Sequence, residues 1–175
     1  SILTDQHFFG GSNADLQKGR DLTDLPLLRK DFILDEFQIL ETKAIGADVL
    51  LLIAAILNPK EIRTFTRIAK DLGLEVLLEV HTMEELHENL HPEIDLVGVN
   101  NRNLKTFEVD LENSLRISEE IPEEFPKIAE SGLQEVAVVH RLRQQGFDGF
   151  LMGENFMKTK DPGAAAADFI QHLSQ

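Results

Sequence analysis

Six polar side chains in this 175-residue chain stand at or just past the ends of apolar runs: Lys30 in "PLLRKDF", Glu79 in "LEVLLEVH", Asn100 and Arg102 in "VGVNNRNL", and Glu130 and Ser131 in "PKIAESG". A charge beside apolar residues either meets water at a strand end or does chemistry. Any one of them is explained by a strand having to end in something polar. Together they supply a cation, two carboxylates, an amide and a guanidinium, a set suited to acid/base work if the strand ends converge. Apolar neighbours disfavour the charged form of Lys30 and nearby carboxylates favour it, a competition that fits a lysine for general-acid catalysis. A Schiff base between Lys30 and a carbonyl substrate is the other chemistry open to it. Asp31, one residue on, faces the opposite side and is expected to pair with a helix or a neighbouring loop.

Two further strand ends carry glycine, "ESG" with Gly132 and "MGEN" with Gly153 and Glu154. Each leads into a helix start, where backbone N–H groups can approach a phosphate. In "HFFGGS", Phe8 and Phe9 precede two glycines, and Phe32 lies two residues beyond Lys30, so an aromatic lining beside the lysine is expected. The six histidines are scattered over helices and loops without metal-ligand spacing, and no metal site is expected.

These residues need elements to hold them. The apolar runs, including "ADVLLLIAAI" and "FDGFLMG", have strand length and read as apolar on both faces, as in a parallel sheet covered by helices. Between them lie helical patterns. In "NPKEIRTFTRIAKDLG" the apolar residues Ile62, Phe65, Ile68, Ala69 and Leu72 recur at helical spacing, with Asn58 as N-cap, Pro59 in the first turn and Gly73 at the end. "LQEVAVVHRLRQQG" repeats the design with Val136, Val139 and Leu142 inward and Gly146 closing it. Strand ends near Lys30, Ala54, Glu79, Asn100, Glu130 and Gly153 give one βα unit per roughly 20 to 30 residues. With the stub "SILT" this makes about seven strands, which suits a doubly wound sheet or a (β/α)8 barrel with one unit missing. The absence of a G-x-G-x-x-G turn favours the barrel.

A formal net charge of −14 argues against nucleic acid as the main partner, since phosphate backbones are held by clustered Lys and Arg. One small phosphorylated ligand remains compatible with it. No apolar run approaches a membrane span of about 18 residues, and the lack of cysteine fits a reducing compartment, so a soluble cytoplasmic protein is expected.

The stretches "SILTDQHFFGGS", "LLRKDFI", "LEVLLEVH", "VGVNNRNLKTFEVDL", "IAESGL" and "FLMGENFM" resemble, in order and spacing, the indole-3-glycerol phosphate synthase family. The resemblance implies a TIM (β/α)8 barrel. It also implies ring closure, decarboxylation and dehydration of 1-(2-carboxyphenylamino)-1-deoxyribulose 5-phosphate, a carboxy-lyase step of tryptophan biosynthesis that uses no cofactor. It makes Lys30 a catalytic general acid and Glu79 a base or electrostatic partner, with Asn100, Glu130 and Ser131 also catalytic. Arg102 then belongs to the polar pocket, while Phe9, Phe32, Leu51, Leu104 and Leu151 form an apolar wall around the anthranilate ring. Gly132, Gly153 and the backbone of Glu154 form the phosphate cradle; some members have Ser where this chain has Glu154.

Two family features are not found in the sequence: the "E-x-K-x-x-S-P-S" stretch of the first strand and the helix before it. Residues 1–175 are therefore expected to form one barrel domain from the family's second strand to its eighth helix. Weak or no activity and self-association through exposed strand edges are the expected consequences. A non-catalytic phosphosugar-binding barrel, or another phosphate-binding barrel isomerase or aldolase, is the alternative.

Overall fold

The computed structural model describes residues 1–102 and 109–173. The chain gathers into two compact units, Ser1–Val97 and Gly98–Gln175. In the first, strands and helices alternate as β1 (Ile2–Leu3), α1 (Asn13–Leu22), β2 (Leu28–Lys30), α2 (Glu36–Ala44), β3 (Val49–Ile53), α3 (Pro59–Asp71), β4 (Glu75–Val80) and α4 (Met83–Asn89). Strand β5 (Leu96–Asn100) runs across the division. The second unit continues with α5 (Leu111–Glu119), β6 (Lys127–Glu130), α6 (Val136–Gln144), β7 (Gly149–Leu151), α7 (Glu154–Met157) and α8 (Pro162–Leu173).

Within the first unit β1, β2, β3 and β4 pair in chain order, all parallel. The entry to β5 continues the series, because the Asp95 N–H donates to Val76 O on β4. In the second unit the exit of β5 lies against β6, with the Asn101 N–H donating to Glu130 O, and β6 pairs parallel with β7. A doubly wound sheet reverses its order at a switch point, whereas within each unit the described strands pair in chain order. The expected strand ends at Lys30, Glu79, Asn100 and Glu130 coincide with the ends of β2, β4, β5 and β6 to within a residue.

The strands form because their runs can be buried on both faces. All five residues of β3 are buried, as are five of the six in β4. The intervening helices follow from caps and apolar spacing. Asn58 caps α3 in a capping box with Glu61, Pro59 occupies the first turn, and Ile62, Phe65 and Ala69 are buried. Asp35 and Gln38 make the same box at α2. In α6, Val139 and Leu142 are buried as their spacing predicts, while Val136 is half-buried. Gly46, Gly73 and Gly146 turn the chain from helix to strand with positive φ, where a side chain would be strained.

A clamp recurs at strand entrances. Asp48, Asp95 and Asp148 each precede a strand, and each donates its own N–H to a residue entering the preceding strand: Leu27, Val76 and Lys127, respectively. Each Asp carboxylate accepts the N–H of that same residue, at 2.7, 2.8 and 2.9 Å. Arg20 and Lys70 supply the countercharge to Asp48 and Asp95. These clamps lie at the N-terminal ends of strands, the end that stabilises barrels.

Buried His91 adds a pH dependence. Burial pushes its imidazole down, the Arg63 guanidinium adds to this, and Glu93 partly opposes both. A histidine whose folded pKa is depressed binds more protons when unfolded, so its stability contribution is complete above the unfolded pKa and is lost as pH falls through the folded one. Urea midpoints should therefore fall below about pH 6.5, with a shallower slope in His91→Leu.

Candidate active site

The register of β2, β3 and β4 decides which side chains share a face. Arg29 lies beside Leu50, Leu51 beside Leu77 and Ile53 beside Glu79. Because successive side chains alternate, Lys30, Leu51, Ile53, Leu77 and Glu79 project to one side and Arg29 and Leu50 to the other. Lys30 reaches Glu79 along the first face, its Nζ standing 3.2 Å from Glu79 Oε2. The lysine side chain is 21% exposed and the glutamate 4%, so the ion pair has one water-facing end. Leu51, expected in the apolar wall, is buried on the same face. The other oxygen, Glu79 Oε1, lies 3.3 Å from His81 Nε2.

On the opposite face Arg29 is buried and spends all its donors. Its Nε donates to Thr4 Oγ1 and Asp31 Oδ2, one terminal nitrogen to Gln38 O and Thr42 Oγ1, and the other to Asp31 Oδ2 and Glu41. Asp31 also accepts from the Thr4 hydroxyl at 2.5 Å, and its second oxygen holds the Phe32 N–H. The expectation that Asp31 pairs with a helix or a neighbouring loop is met by Thr4, in the loop just past β1. The cation of Asp31 is Arg29, two residues back on the same side of the strand, and Arg29 makes the helix contacts. Lys30 thus stands between two residues anchored in the layer behind it.

Three of the aromatic rings cluster with one another. Phe9 stacks on Phe32 with centroids 5.2 Å apart, and Phe8 meets the same ring edge-on at 5.5 Å. Phe8 is 79% exposed, a large apolar surface left open beside Lys30's strand.

The second unit holds a separate constellation. Asn100 Oδ1 accepts the Arg102 N–H at 3.0 Å, and the Arg102 guanidinium donates to Glu154 Oε2 at 2.7 Å. Glu130 is buried at the end of β6, with Leu151 of β7 beside it in register and half-buried. Ser131 and Gly132 follow with φ of 66° and 72°. Consecutive left-handed residues, one not glycine, mark a backbone held by its surroundings, a frequent trait of functional loops. Their holder is Asn101, whose Nδ2 donates to Glu130 O at 2.8 Å and Ser131 O at 2.7 Å. A side chain at Gly132 would run into that of Val109. We expect Gly132→Ala to lower stability by about 2–4 kcal/mol, combining left-handed strain with overpacking, in urea denaturation. Ser131→Gly should cost nothing in the same measurement.

Gly153 is the N-cap of α7 and has open space where a side chain would sit. Glu154 is exposed, and its carboxyl is held below the usual range by Lys158 and then Arg102, against a small effect of burial. Leu104 lies outside the described residues. The sequence reading passed over Arg29, His81 and Asn101. His81 follows a strand end whose carboxylate was already singled out, and Asn101 adjoins Asn100, so position was the available signal for both. Arg29 faces the helices and carried none beyond its buried setting.

The fold belongs to the TIM-barrel class. It superposes on 3-hexulose-6-phosphate synthase from Salmonella typhimurium with a TM-score of 0.81 at 15% identity, covering 99% of this chain and 85% of that one. KGPDC from Streptococcus mutans gives a TM-score of 0.73 at 15% identity, covering 98% and 83%. Residues 1–169 match the family described as indole-3-glycerol phosphate synthase, and the chain belongs to that family. An indole-3-glycerol phosphate synthase of Bacteroides thetaiotaomicron is 49% identical over 173 residues, 99% of this chain and 66% of the relative. One from Koribacter versatilis is 46% identical over 170 residues, 97% and 65%. The chain therefore spans slightly less than two thirds of the length of these curated relatives.

Proposed function

We propose that this chain carries strand-end residues of an indole-3-glycerol phosphate synthase, acting on 1-(2-carboxyphenylamino)-1-deoxyribulose 5-phosphate. The supporting observation is the pair of Lys30 and Glu79, with Nζ 3.2 Å from Oε2 and the carboxylate almost fully buried. A lysine held charged by a buried carboxylate can donate a proton and still be reprotonated from its exposed side.

Lys30 gives its proton to the substrate's keto oxygen as the aromatic ring carbon attacks the carbonyl carbon. The new carbon–carbon bond closes the five-membered ring. Carbon dioxide leaves with its bonding electrons returned to the ring, which restores the benzene ring, and the resulting hydroxyl then takes a proton and leaves as water while the adjacent CH2 carbon gives a proton to a base, forming the double bond of the pyrrole ring. Glu79 stabilises the lysinium and serves as the base or electrostatic partner in these steps. The aromatic face of Phe9 and Phe32 suits the anthranilate ring. In the second unit, the backbone at Gly132, Gly153 and Glu154 is assigned to the phosphate and Asn100, Glu130 and Ser131 to polar contacts with the substrate. Glu154 already holds Arg102, so a phosphate using that guanidinium has to displace the carboxylate.

The test is a fluorescence assay for indole-3-glycerol phosphate on protein of verified mass, with calorimetric binding of a reduced, non-cyclising substrate analogue. Product formation supports the proposal. Absence of both product and binding overturns it, and binding without product points to a non-catalytic phosphosugar-binding barrel.

A further inference from the structure

His81 lies one residue beyond β4 and is 9% exposed, with a carboxylate toward each ring nitrogen. Glu79, on its own strand, faces Nε2 at 3.3 Å; Glu85, in the first turn of α4, faces Nδ1 at 3.6 Å. The Glu85 Oε2 atom also accepts the His81 backbone N–H at 2.6 Å, and the Glu85 N–H donates to Thr82 Oγ1 at 3.1 Å. Lys30 stands across Glu79 on the far side, at its other oxygen. The row therefore runs lysine, glutamate, histidine, glutamate, all within the first unit.

We propose that His81 is a positioning residue whose ring, with Nε2 3.3 Å from Glu79 Oε1, restricts that carboxylate and leaves Oε2 directed at Lys30, and that Glu85 ties the His81 backbone to helix α4. The functional half rests on the synthase reading, in which Glu79 and Lys30 work as a pair. A glutamate has three side-chain torsions to fix. A ring packed at one oxygen while Lys30 stands at the other restricts the plane of the carboxylate. Glu85 behaves as the anchoring partner should: burial pushes its carboxyl up, but the His81 side chain, its backbone N–H and its charge outweigh this and bring it below the usual value.

The direct test is ring 15N and 13C NMR of the histidines of the 175-residue chain at one fixed pH, with Glu79→Gln and Glu85→Gln. Each substitution changes one neighbour of the His81 ring and should move its ring resonances, leaving those of His140 and His172 unmoved. His81 resonances unchanged in both variants overturn the proposal, as does an equal change at all histidines. Should Glu79→Gln fail to fold, Glu85→Gln alone decides, being on the helix side. The catalytic arm uses the indole-3-glycerol phosphate assay. His81→Leu should lower kcat at least tenfold with KM within twofold, and His81→Gln, which keeps a donor near the Nε2 position, should recover part of it. Loss expressed in KM alone, or no rescue by Gln, would reduce His81 to a packing residue. If the unmodified chain makes no product, the synthase reading fails in that assay while the ring resonances of the Glu79 and Glu85 variants still decide the hold on Glu79.

Discussion

Lys30→Met should lower kcat for indole-3-glycerol phosphate formation by roughly a hundredfold to ten thousandfold, the usual span for removing a positioned general acid, and should also lower thermal stability. The loss of stability comes from the ion pair, because the Glu79 side chain is 4% exposed and the substitution takes away the cation beside it. The lysine's proton, by contrast, is the one assigned to the keto oxygen as the ring closes. Methionine keeps an unbranched stem and removes the charge. Steady-state kinetics at saturating substrate, with a melting curve on the same sample, check it. A kcat unchanged within threefold would remove Lys30 from the chemistry, and a collapse of folding would show that the lysine's role is structural.

The second large effect is on stability and falls one residue earlier. Arg29→Met should destabilise the protein by about 3–5 kcal/mol, because it leaves the Asp31 carboxylate buried without its cation. Asp31 is 6% exposed and Arg29 3%, so water cannot replace the lost contacts without opening the layer between β2 and α2. Arg29→Lys should recover little of this. A single ammonium cannot reach Thr4, Asp31, Gln38, Glu41 and Thr42 together, as the planar guanidinium does. Pairing Arg29→Met with Asp31→Asn should restore part of the loss, since the buried charge goes with its partner. Urea unfolding of the three variants measures this. A cost below about 1 kcal/mol for Arg29→Met would mean that the network is solvated, as exposed pairs are. Activity should fall with the first variant too, because Arg29 and Asp31 anchor the strand on both sides of Lys30.

Much of the barrel was legible in the sequence because its signals are local. Both-face burial shows as continuous apolar runs such as "VLLLI" in β3. The start of α3 shows as Asn58, Pro59 and Glu61, and the helix-to-strand turns as Gly46, Gly73 and Gly146. Each of those elements is decided by the backbone preferences of the few residues within it. The ends of the apolar runs also placed Lys30 and Glu79 at or next to the ends of β2 and β4, since a run stops where the strand's burial stops.

The sequence by itself thus determined the class of fold and which residue types stand at its strand ends. Tertiary structure decided the partners. That Lys30 meets Glu79, 49 residues away, depends on the register of three strands, and a shift of one residue would turn every one of those side chains to the other face. That Arg29 is a fully engaged buried cation, that His81 lies between two carboxylates and that Asn101 holds the left-handed turn at Ser131 are likewise settled by which segments pack together. A lone polar residue in a sequence carries a cost of burial but no sign of what offsets it. The partner comes from elsewhere in the chain, and only folding brings it within reach of a hydrogen bond.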